Sequence, residues 1–232
     1  MPRPVRVVSV LSGSMLMLLV TLALFAAMAS AAPQFGPVCT VGGSTPDYTL
    51  LSGAVADTDC ITISVRAGTY AANLTIDRDV VIVGAGAAST IVDGNGSVTN
   101  QRVMTITKDH HVSIFDVTIQ NGRAISPTHG GGGIDSSGSL TLTNVILTNN
   151  TASGTRDEDV GGAIAPGKFG SQGLVLHNCI VSDNTANVGG GIFYNNTLEI
   201  SNTLFYSNTA SYAGGLYIYG PATLVNVTFS DN

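Results

Sequence analysis

The chain repeats itself. GGGGI (Gly130–Ile134), VGGAI (Val160–Ile164), VGGGI (Val188–Ile192) and AGGL (Ala213–Leu216) each open a unit. Each unit runs through alternating apolar residues to Asn144, Asn178, Asn202 or Asn226, and six residues later meets Asn150, Asn184, Asn208 or Asn232. From Asp116 to Asn144 is 28 residues, and the next steps are 34, 24 and 24. Periods of this size belong to solenoids, in which each repeat buries its apolar side only against its neighbours. Leucine-rich repeats share the shortest period, but here the Leu pattern is loose and no helical segment recurs. Short β-branched runs punctuated by Gly and Asn fit a parallel β-helix instead.

Such a coil rises by one strand spacing, ~4.8 Å, per turn. Leu140, Leu142, Leu174, Leu176, Leu198, Ile200 and Leu224 then share the inward phase, and the repeated Asn residues form hydrogen-bonded ladders at the corners. Ile106 lies 10 residues before Asp116, as Ile134 lies before Asn144, so HVSIFDVTIQNG (His111–Gly122) joins as an earlier rung. Upstream, ITISV, AGTY, NLTI, VVIVGAG and TIVDGNG (61–96) read as further strands and turns. Gly84–Gly86 opens no helix and completes no dinucleotide fingerprint.

Composition narrows the class. Charged residues are only 10% against 44% hydrophobic, so a large core forms with few surface charges. The net charge of −6 argues against a nucleic-acid partner, which needs a basic footprint. Arg3 and Arg6, the apolar run Met15–Met28 and the small residues Ala29-Ser30-Ala31 have the anatomy of a secretory signal peptide over 1–31. The run is short for a membrane anchor, and no other stretch is long enough, so no transmembrane segment is expected in the mature chain. The expected location is extracellular or on the outer cell surface.

Export suits the cysteines. Cys39 and Cys60 bracket a short segment and are placed to form a disulfide in an oxidising compartment, and Cys179 reads as a buried small hydrophobe. None of the four His has a Cys at ligand spacing. Residues 32–60 are expected to cap the coil. Within them Asp47–Cys60 reads as a short helix with Asp47 as N-cap and Leu50, Leu51, Ala54, Val55 and Thr58 on one face. Residues 61–232 form the coil, expected to be truncated at its C-terminal end.

The order strand, AGTY, strand, GxG, TIVDG resembles the opening of right-handed parallel β-helices of the pectin-lyase-like superfamily. GGAI at Gly161–Ile164, with FxxN at Phe205–Asn208 and Phe229–Asn232, resembles the repeats of polymorphic outer membrane proteins, whose surface β-helices imply adhesion. That likeness covers Gly130–Asn232. It lacks the terminal barrel of those proteins.

Candidate sites lie where the repeat is broken. The longest rung, between Asn150 and Asn178, has loops bearing Arg156, Asp157, Glu158 and Asp159, then Lys168 and Phe169. Asp157, Glu158 and Asp159 are candidate Ca²⁺ ligands, without the spacing of a calcium-binding loop. Asp109, His111, Asp116 and Arg123 are candidate catalytic residues for lyase or glycosidase chemistry. The WxDH and GHG…RxK signatures associated with β-helix pectate lyases and polygalacturonases are missing. Phe193, Tyr217 and Tyr219 are candidate sugar-stacking residues; Phe193 and Tyr217 are expected on neighbouring rungs of an outward face shared with Asp135. The expectation is an exported β-helix acting, without catalysis or cofactor, as an adhesion surface for glycans or proteins of a host or neighbouring cell. The alternative is a polysaccharide-active enzyme, a lyase or glycoside hydrolase.

Overall fold

The computed structural model describes residues 37–125, 130–153, 160–167 and 170–232. The segment 1–31 read as a signal peptide, and Asp157, Glu158, Asp159, Lys168 and Phe169, lie outside them. Within the compact unit Gly36–Asn232 the chain coils as a parallel β-helix with three faces. Sheet 1 has eight strands: Val38–Val41, Thr62–Val65, Val80–Gly84, His111–Phe115, Ser139–Thr143, Leu174–His177, Leu198–Ser201 and Ala222–Val225. Sheet 2 has seven, Gly68–Ala71 through Thr228–Ser230, and sheet 3 has six, Leu74–Ile76 through Leu216–Ile218. Every pairing is parallel, and the period-2 alternation of each strand sends one side chain in and the next out.

The core is a set of vertical rows. Ile63, Ile82, Ile114, Leu142, Leu176 and Ile200 stack in register along sheet 1, all buried. Leu224 continues the row on the last rung and is exposed, as are Val225 and Phe229. Sheet 2 contributes Val92, Ile119, Leu147, Val181 and Phe205. Sheet 3 contributes Leu74, Met104, Ile134, Ile164 and Ile192. The register corrects one expected phase: Ile134 stands over Met104, and Ile106 under Ser136. The turn 107–110 holds two more residues than its counterpart 137–138 on the next rung, which shifts the apparent repeat start.

The two Asn positions do different work. Asn144, Asn178, Asn202 and Asn226, with Asp116, sit at positive φ between sheets 1 and 2, a backbone region Asn and Asp tolerate. Their side chains form an outer ladder: Asn178 Nδ2 donates to Asn144 Oδ1 at 2.6 Å, and Asn144 Nδ2 to Asp116 Oδ1 at 3.0 Å. Asn150, Asn184 and Asn208 are buried. Each of their Nδ2 groups donates inward to a carbonyl of the preceding rung (Ile119, Leu147, Val181) and along the coil to the next Oδ1. The residue three before the strand of sheet 3 bends the coil at positive φ at Gly131, Gly161 and Gly189, and Ala213 takes the same conformation in the fourth unit.

The N-terminal end is closed as expected by a short helix, α1 (Leu51–Ala56), with Leu51, Ala54 and Val55 buried. Two details of the expectation are corrected. Leu50 is the N-cap, is exposed, and makes no capping hydrogen bond with its side chain. Asp47 instead accepts from the Thr40 amide at 2.7 Å and hydroxyl at 2.9 Å, so its carboxylate is spent on the preceding turn. Arg78 satisfies the helix C-terminus by donating to the carbonyls of Val55 and Ala54. Cys39 and Cys60 form the disulfide beneath it, and Cys179 is a buried free thiol.

Candidate functional site

Most corners of the coil are tight. The corner between sheets 2 and 3 is long, nine residues at 183–191 and 207–215 and longest on the three rungs before them, 94–103, 121–133 and 149–163. On the first, Asp93 ends a strand and the chain leaves the coil as α2 (Gly96–Thr99), returning through Asn100, Gln101 and Arg102. On the next two, Arg123–Ile125 and Thr151–Ser153 pair as a separate parallel two-stranded ribbon. The rungs meet backbone to backbone: Gly96 N donates to Asn121 O at 2.6 Å, and Arg123 N to Gln101 O at 2.9 Å. A Cβ on Gly96 would come within 2.5 Å of Asn121 O, and one on Gly122 within 2.0 Å of Gly132 O. Gly122 stands where the inner Asn ladder ends, donating its N–H to Asn150 Oδ1 at 2.9 Å. Arg123 follows it and is half-buried.

A cleft of about 600 Å³ opens along this corner. Thr69, Asp93, Asn95, Asn121, Arg123 and Thr151 line it from four successive rungs, so it runs along the coil axis for roughly 14 Å. Asp93 is fully engaged: Oδ1 accepts from the Asn95 amide at 2.8 Å, and Oδ2 from Gln120 Nε2 at 2.9 Å and Asn121 Nδ2 at 2.8 Å. Burial pushes its carboxyl upward, but these donors outweigh burial and hold it below its ordinary value. Arg123 Nε is buried and makes no hydrogen bond.

Behind Arg123 lies a second pocket of about 220 Å³, lined by Asn73, Thr75, Gln101, Arg102, Thr105 and Arg123. Arg102 forms an ion pair with Asp135, and burial lowers its guanidinium to about 10. Asp135 occupies the outward phase of sheet 3 as expected, yet it is buried, with Oδ1 unpartnered.

The candidate catalytic residues are not brought together. Asp109 sits at the corner between sheets 3 and 1, where its Oδ1 accepts from Gln172 Nε2 at 3.0 Å. His111 follows at the same corner, anchored by its amide to Asp79 Oδ1. Asp116 is at the next corner as the first member of the outer ladder. Arg123 alone lines the cleft. Phe193 and Tyr217 do stack across adjacent rungs, with centroids 5.4 Å apart and planes 5° apart, and Tyr219 lies 6.0 Å from Tyr217. Among the described residues no group of His, Cys, Asp and Glu is placed to hold a metal ion. Nor is any described helix long and apolar enough to cross a membrane.

Sequence reasoning missed Asp93, Asn95, Arg102 and Asp135. A signal existed: the Asn-Gly pairs at Asn95–Gly96 and Asn121–Gly122 mark turns on adjacent rungs, and two of the few arginines, Arg102 and Arg123, flank them.

No protein-family model matches the sequence, and no curated protein matches it. Solved structures do resemble it. Pectin methylesterase PemA from Erwinia chrysanthemi superposes with a TM-score of 0.55 at 13% identity, covering 87% of this chain and 68% of that one. The pectin methylesterase from carrot gives 0.51 at 17%, covering 77% and 55%. A pectin methylesterase variant in complex with a hexasaccharide gives 0.50 at 16%, and the match covers 75% of this chain and only 56% of that enzyme. At these identities the likeness is one of fold, and the fold is the right-handed parallel β-helix of the pectin-lyase-like kind.

Proposed function

We propose that this chain is an exported β-helix that binds a segment of polysaccharide along the cleft between sheets 2 and 3. One observation carries the reading: the cleft crosses four rungs and is lined by amides, hydroxyls, one carboxylate and one guanidinium. That lining matches the hydroxyl-rich edges of an extended sugar chain, and the groove runs continuously rather than ending in a closed pocket. Asp93 is the carboxylate among the described lining residues, and its three donors hold it ionised as an acceptor, which suits recognition rather than the paired-carboxyl chemistry of a glycosidase. The structural neighbours lend support, since one is seen with a hexasaccharide. The signal peptide read at 1–31 supplies the export.

The test is titration of the chain with oligosaccharides, watched through the side-chain amide signals of Asn95, Asn121 and Asn149. These signals are expected to shift and saturate, and Ser97→Trp, which fills the cleft from α2, is expected to abolish the shift. Saturable binding that Ser97→Trp leaves untouched would place the ligand elsewhere and overturn the reading.

A second reading is favoured by an aromatic cluster. Phe193 and Tyr217 stack, half-buried, on the outer side of sheet 3, with the exposed Tyr219 tilted against Tyr217, and such a cluster suits an adhesion surface of the kind found on polymorphic outer membrane proteins. Retention of cell or glycan binding in Ser97→Trp, with loss on Tyr217→Ala, would favour it.

A further inference from the structure

We propose that the pocket behind Arg123 is an oxyanion site that receives an anionic group, a carboxylate or a sulfate, carried by the sugar chain in the neighbouring cleft. Among the described residues its lining contains two guanidinium groups, Arg102 and Arg123, and no carboxylate. Arg102 already carries the Asp135 ion pair, and among the described residues these three groups sum to one positive charge. Arg123 has a buried Nε–H with no acceptor. Buried donors are almost always satisfied, and an orphaned one on a cation has an unusually strong demand for an acceptor. The remaining lining supplies neutral polar groups from Thr75, Gln101 and Thr105. Asn73, whose Nδ2 donates to the carbonyls of Gly94 at 3.2 Å and Arg102 at 2.8 Å, ties the two walls together. The planar fork of Arg matches both carboxylate and sulfate oxygens.

Arg123 belongs to both cavities, lining the cleft on one side and the pocket on the other. A sugar in the cleft thus has its substituent directed past Arg123 into the pocket. The inference rests on the polysaccharide reading for the carrier, but not for the anion.

The experiment follows the Nε–H signals of Arg102 and Arg123 in ¹⁵N-labelled chain. Four probes are added separately: inorganic sulfate, inorganic phosphate, a uronate oligosaccharide, and a neutral oligosaccharide of equal length. The free anions and the uronate are expected to shift the Arg123 signal saturably, with an affinity that falls as salt rises. The neutral sugar is expected to move only the cleft amides. Arg123→Gln is expected to weaken anion binding by roughly tenfold or more, with Arg123→Lys intermediate. Should Arg123→Gln not fold, Thr105→Leu fills the pocket from sheet 3 with both arginines kept, and is expected to block the anions. Arginine signals that stay still with every anion, or anion binding indifferent to Thr105→Leu, would overturn the proposal. Cleft shifts without arginine shifts sink the anion site and keep the polysaccharide reading. Sulfate binding through Arg123 with no sugar binding does the reverse.

Discussion

Asn184 shows what a single side chain does in this coil. Its Oδ1 accepts from Asn150 N and Nδ2, and its Nδ2 donates to Leu147 O and Asn208 Oδ1. All of these partners are away from water, so Asn184→Ala orphans several at once, at about 1–3 kcal/mol for each group left unpaired. We expect a loss of at least about 3 kcal/mol, read as a lowered denaturant midpoint. Asn178 has the same residue type and the same 24-residue period to its successor, but it is exposed and its side-chain hydrogen bond is to the half-buried amide of Asn144. Asn178→Gly keeps its positive φ, so a change within about 1 kcal/mol is expected. Both ladders were legible in the sequence as structure. Which one is buried was not, because the strand period does not run through a corner. The left-handed residue Asn149 intervenes and turns Asn150 inward.

At the scale of an element, the corner between sheets 2 and 3 holds the candidate site, and Asp93 fastens it. Its carboxylate gathers Gln120 and Asn121 of the next rung onto its own. A carboxyl whose folded value lies below its unfolded value contributes stability that is present above the unfolded value, near 3.9, and is lost as pH falls through the folded one. Melting temperature should therefore fall with pH below the ordinary carboxylate range, and Asp93→Asn should remove part of that dependence. An unchanged acid limb in the variant would show that these hydrogen bonds do not favour the ionised form. This corner was the least legible part of the chain. A repeat is read from what recurs, whereas α2 and the ribbon at Arg123–Ile125 are departures from recurrence. Arg102 and Asp135 are 33 residues apart and meet only because an excursion on one rung folds down beside the next. The same blindness produced the phase error at Ile106, where two extra residues in a turn mimic the repeat.

At the scale of the molecule, the rungs from Leu174 onward repeat at a strict 24 residues, and each touches only its neighbours. Stability is then close to a sum of rungs and their interfaces. Removing Val188–Ser211 splices Asn187 to Tyr212, which already stands in register with Val188. The spliced chain puts Leu216 over Ile164, Leu224 over Leu176 and Phe229 over Val181, so every inward position stays apolar. We expect the circular dichroism per residue to be unchanged and the melting temperature to drop by only a few degrees, since one interface among several is lost. Removing Val188–Tyr212 instead deletes one residue more. That slip turns the following strand over and presents Tyr217, Thr223 and Val225 to the core while Leu216 and Leu224 face water. This second variant should lose its last rung or aggregate, seen as proteolysis after Asn187 or as a concentration-dependent species in light scattering. If both deletions were tolerated equally, inward-facing side chains would not be setting the register of the coil, and the rows of Ile, Leu and Val described above would not be its organising force.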